Sequence, residues 1–210
     1  MGKRSVTWRV GGILLGVCGL LTLGGAQVIG PGYAMQLVID VSWALGILVF
    51  AFGFSRAASV VARRPLGVSA LVVLAFAPLT VNLAYNVASP QVVSADDSTA
   101  WTAFAVSLSA SVVSIAAGVI AATQIARLGA VPARWRWAPM WALGISVGCA
   151  LLIQGVFTAL GAAGADQSVM VAAGAIGRIG LLAPTLGLGV VALIAASTDR
   201  PEAVEVFRSS

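Results

Sequence analysis

Long apolar runs alternate with short polar connections along the whole chain. Six runs reach spanning length, at residues 8–29, 34–55, 66–87, 101–125, 137–160 and 169–196. A helix rising about 1.5 Å per residue needs about 20 such residues to cross a hydrocarbon layer about 30 Å thick. The connections read as turns or charged loops, from GPGY at 30–33 to the glycine-rich segment around Asp166. The pattern predicts an all-α membrane protein: a six-transmembrane-helix bundle forming one polytopic domain over residues 1–210.

Composition strengthens this reading. Apolar residues make up 60% of the chain and charged ones 9%, whereas a soluble domain carries about 25% charge. No stretch is left over for a water-soluble domain. The first run follows a basic start, MGKRSVTWRV, and resembles a signal peptide with GGAQ as a cleavage site. Its length is enough to cross, and it is expected to stay as a helix.

The net charge of +5 would suggest nucleic acid in a soluble protein. Here the basic residues follow topology instead. Counting loops on alternate sides puts Lys3, Arg4, Arg9, Arg56, Arg63, Arg64, Arg127, Arg134, Arg136, Arg200 and Arg208 together on one face, with none on the other. The positive-inside rule then places both the N and the C terminus in the cytoplasm. Trp8, Trp135, Trp137 and Trp141 fall at that inner boundary, and Tyr33, Tyr85 and Trp101 at the outer one. One lysine among many arginines, with abundant Ala and Gly, suggests GC-rich coding and a bacterial plasma membrane.

Catalytic signatures fail on inspection. GISVG at 144–148 spells a serine elbow, but it lies inside a run, and the chain has no histidine to activate Ser146. GLGVVA at 187–192 mimics a dinucleotide fingerprint with no strand before it. Cys18 and Cys149 both sit in apolar runs and are expected as free thiols. No cluster of acids or histidines suits a metal, so neither metal nor cofactor is expected, and the chain does not read as an enzyme.

Two ionisable residues lie deep in apolar runs, Asp40 and Arg178. A charge there costs roughly 2.5–3.5 kcal/mol to insert and calls for a partner or a task. Measured from the nearer outer boundary, Asp40 lies roughly 9 Å deep, Arg178 roughly 14 Å, Asn82 roughly 8 Å and Gln154 roughly 9 Å. All four belong to the outer half, and Asp40 is expected to meet Arg178. Helical spacing puts Gln36, Asp40 and Trp43 on one face of the second run, and Pro78, Asn82 and Asn86 on one face of the third. Ser107, Ser111 and Ser114 stripe the fourth, while Gly174, Arg178 and Thr185 line the sixth.

Gln36, Asp40, Asn82, Asn86 and Arg178 are therefore the candidate ligand-binding residues, in an outward-facing pocket of the second, third and sixth helices. Two readings compete. In the first, the pocket binds or transports a small polar or zwitterionic solute or a lipid. In the second, the same groups fasten helices together, and the chain is an accessory or regulatory subunit of a larger membrane complex. Expected partners are the bilayer, a small solute or lipid, and a membrane protein or second copy; nothing points to nucleic acid.

Pro78 and Pro184 fall mid-run and free backbone carbonyls, and the sixth run is long enough to break near Gly180–Pro184. Gly12 and Gly16 permit a close helix approach. Two weak internal similarities also compete. VSWALGIL at 41–48 resembles VSIAAGVI at 113–120, suggesting a repeated two-helix unit; APLT at 77–80 and APTL at 183–186 instead relate helices one to three to helices four to six in opposite orientation.

Overall fold

The computed structural model describes residues 3–28, 32–53, 59–62, 64–92, 97–128, 135–160 and 166–198. Among them the structure is helical, with six helices long and apolar enough to cross a membrane. They are α1 (Lys3–Val28), α2 (Tyr33–Phe52), α3 (Pro65–Val92), α4 (Asp97–Leu128) and α5 (Ala138–Leu160), followed by a sixth built from α6 (Gln167–Leu182), a π-helical turn (Ala183–Gly187) and α7 (Leu188–Thr198). Backbone hydrogen bonding carries α1, α3 and α4 past the apolar runs into flanking polar residues. Pro78 leaves α3 continuous, whereas Pro184 sits in the π turn.

The helices form a ring. Each packs on its neighbour in sequence, and the ring closes where α6, the π turn and α7 lie against α1. Close approach at this closure depends on glycine. A Cβ on Gly189 would lie 2.9 Å from the Gly12 carbonyl and 3.0 Å from the Gly16 nitrogen, and one on Gly19 would meet Leu186 at 2.8 Å. The small-residue stripe on α1 thus takes the backbone of the sixth helix directly.

Packing is densest at the ring end where α1 and α3 begin and α2, α4 and α7 finish. Trp8, Leu15, Ala51, Val61, Leu71, Ile125 and Ala195 form one buried cluster there. Trp8 meets Phe50 edge-on at 5.8 Å, a geometry that aligns a ring edge with the neighbouring π face. The C-terminus of α2 is sealed at the same end. Ser59 donates to the Ala51 carbonyl at 2.6 Å and the Val60 amide to Phe50 at 3.1 Å, satisfying carbonyls with no helical partner. Gly53, at φ 57°, turns the chain out of the helix.

Candidate functional site

The face predicted on α2 does form, and it points at α3. Asp40 is buried, 3% exposed. One carboxyl oxygen accepts from the Gln36 amide one turn earlier at 3.0 Å, and the other from the Asn82 amide of α3 at 2.6 Å. Beside them Cys18 of α1 donates its thiol to the Ile39 carbonyl at 3.6 Å. Three elements therefore converge on the middle of α2, and Asp40 is the acceptor that ties α2 to α3.

The expected meeting of Asp40 with Arg178 does not occur. Arg178 is exposed on α6 and makes no ion pair among the described residues. The reason lies in the ring order, since α1 stands between α2 and the sixth helix and no substantial contact joins α2 to α6. Matching depth fixes position along the helix axis only; rotation about the ring separates the two residues. Asn86 lies in α3 with its side chain outside the described residues. Of the five candidates, Gln36, Asp40 and Asn82 come together, and Arg178 stands apart.

The two mid-helix prolines carry a second, unforeseen constellation. A proline has no N–H, so the carbonyl four residues earlier loses its α-helical donor. For Pro78 that carbonyl belongs to Leu74, and the Trp43 indole of α2 donates to it at 3.2 Å. For Pro184 it belongs to Gly180, and the Ser146 hydroxyl of α5 donates to it at 2.6 Å, while also reaching Ala142 at 3.0 Å. Each freed carbonyl is thus satisfied from the preceding helix. Counting back four residues from each proline and looking for a donor at matching depth would have found both pairs from sequence.

Inside the ring lies a cavity of about 990 Å³. Every helix contributes to it, with Pro78, Asn82, Ser146 and Pro184 among the lining residues. No acidic or basic side chain lines it among the described residues. Asp40 and Gln36 stand behind this wall, and Asn82 alone belongs to both the carboxylate cluster and the cavity. Ser114 and Ser146 also line it, but their hydroxyls are engaged by helix carbonyls. Both cysteines are free, Cys18 buried and Cys149 on the cavity wall.

The interior is therefore a large apolar space with few hydrogen-bonding groups, bordered by a buried carboxylate and crossed by two braced prolines. The chain matches no protein-family model, no curated protein and no solved structure.

Proposed function

We propose that this chain is a multi-pass protein of a bacterial plasma membrane, with both termini in the cytoplasm, that binds or carries a small solute or lipid in the space between its helices. The cavity is the observation that carries this reading. At about 990 Å³ it matches the upper end of ligand sites, about 300–1,000 Å³, where a bundle built only for support packs solid. Apolar walls with a few polar groups are the ordinary chemistry of such sites.

The carboxylate cluster takes the supporting role in this scheme. Asp40 has both oxygens occupied and faces α3, so it fixes Asn82, which does face the cavity. Arginine and lysine confined to alternate loops support the orientation. Tags on both ends decide that point, and either tag found outside the cell would overturn it.

The functional test is purification in native lipid with mass spectrometry of whatever is retained, compared with Val147→Trp, which fills the cavity from α5. Retention by the wild type and loss in a variant that unfolds at the same temperature is the expected result. Equal retention by both would remove the cavity from the argument.

A further inference from the structure

The sides of the cavity are unequal. Its exposed lining residues are Leu108, Ser111, Val112 and Ile115 on α4, Ala150, Leu151 and Gln154 on α5, and Leu181 on α6. Val112 is 59% and Leu151 67% exposed although both face the interior space. Lower down, α4 and α5 touch, since a Cβ on Gly118 would lie 3.0 Å from Leu143. α5 packs on α4 more sparsely than the other helices pack on their neighbours in sequence, so the exposed lining above this contact points to a slot in the ring wall between the start of α4 and the end of α5.

Polarity runs along the same axis. At the closed end the walls are Trp8, Leu71, Ala121 and Ile125. At the slotted end they include Asn82, Ser111 and Gln154, and the Gln154 amide makes no hydrogen bond among the described residues. An unpartnered amide costs free energy in hydrocarbon, so a ligand group with a donor or acceptor is favoured at that level. The space is apolar and deep beneath a polar upper rim, and its exposed lining lies mostly on the α4 and α5 side.

We propose that the ligand is a lipid-like amphipath that enters laterally through the slot between α4 and α5, lays a hydrocarbon chain in the cavity and keeps its polar group at the level of Ser111 and Gln154. This rests on the cavity being a binding site and adds the ligand class and the door. With the termini inside, the slot faces the outer leaflet, which supplies such molecules in excess.

The test uses the full chain in nanodiscs of phosphatidylcholine doped with phosphatidylcholine carrying a diazirine midway along one acyl chain. Illumination and peptide mapping are expected to give adducts on Val147, Leu143 and Val191, inside the ring, as well as on outward residues such as Leu152. Closing the slot with Val112→Trp and Leu151→Trp, both at exposed positions, is expected to lower the interior adducts about tenfold and leave the Leu152 adduct unchanged. Photo-leucine added in water is the second probe. Interior labelling by photo-leucine and not by the lipid would overturn lateral lipid entry while keeping a solute site. Labelling of the interior by neither probe would overturn both.

Discussion

Helices α2 and α5 do the same task and end in different surroundings. Each is the middle member of three, and each donates a side-chain hydrogen bond to the carbonyl freed by a proline in the next helix. Yet α2 buries Met35, Asp40, Ala44, Gly46, Ile47 and Ala51, whereas Ala142 alone is buried on α5. The contrast has causes in single residues. α2 is held on both flanks: Leu15 of α1 packs on Gly46, and Trp43 and Asp40 bind α3. α5 rests on α6 through Ser146 and Cys149, packs sparsely on α4, and meets it at Gly118 through Leu143. The comparison separates a fixed side of the ring, α1 to α3 with α7, from a loosely seated wall at α5.

The strongest way to break this division is to strain glycines on each side. Gly189→Val sets two methyl groups against the backbone of α1, where neither partner can yield, and is expected to cost about 3 kcal/mol or more. Gly155→Ala on α5, with nothing within 4 Å of the added carbon, is expected to be neutral or stabilising by up to about 1 kcal/mol. Reversible unfolding in mixed micelles measures both. Equal penalties would mean that α5 is as tightly held as α1.

Next in size is the carboxylate cluster. Asp40→Ala leaves the Gln36 and Asn82 amides without their acceptor and is expected to cost about 2 kcal/mol. The informative quantity is coupling. Asp40→Ala and Asn82→Ala share one hydrogen bond and should fall short of additivity by about 1 kcal/mol, whereas Asp40→Ala with Arg178→Gln should add within about 0.5 kcal/mol. Rescue of the Asp40 variant by Arg178→Gln would restore the ion pair that the ring order argues against.

This cluster also marks how far the sequence could be read. The six helices follow from run length because hydrophobicity and the 1.5 Å rise act along one axis, and that axis is the one a sequence records. The i, i+4 spacing of Gln36 and Asp40 likewise fixed a shared face. What distance along the axis leaves open is the order of helices around the ring, and so depth pairs Asp40 with Arg178 although α1 stands between their helices. The cavity was illegible for the same reason, since it depends on how far α4 and α5 splay. Trp43 with Pro78 and Ser146 with Pro184 place the same kind of bond at corresponding positions in helices one to three and four to six.

The braces themselves come next. Hydrogen bonds between helices in lipid contribute on average about 0.6 kcal/mol, with a maximum near 1.7. Trp43→Phe and Ser146→Ala are each expected to cost about 1 kcal/mol, since each leaves a carbonyl without a donor. The Trp43→Phe penalty should shrink in a Pro78→Ala background, because the restored N–H returns a donor to Leu74. A penalty unchanged by Pro78→Ala would assign the effect of Trp43 to ring packing alone. On the α5 side, Ser146→Ala is expected to raise amide exchange along α5 and α6 more than Trp43→Phe raises it along α2 and α3, because α5 has fewer other anchors.

The smallest effect concerns the start of α6, next to the loose wall. Asp166 caps this helix: its carboxylate accepts from the Ser168 hydroxyl at 2.6 Å and the Val169 amide at 3.0 Å. The Ser168 hydroxyl first, then the Val169 amide, hold its carboxyl below the usual carboxylate range. A carboxyl whose affinity for protons is lowered by folding adds stability at pH values above its unfolded pKa, near 3.9, and that stability disappears as pH drops through the folded value. Acidification below about pH 4 is therefore expected to lower the protection of Val169 and Met170 against amide exchange, measured relative to the intrinsic rate at each pH, while leaving protection in α2 unchanged, and Asp166→Asn, which still caps, should remove most of the pH dependence. If protection in α2 fell in step with α6, the ring would respond as one unit and the division between a fixed side and a loose wall would fail.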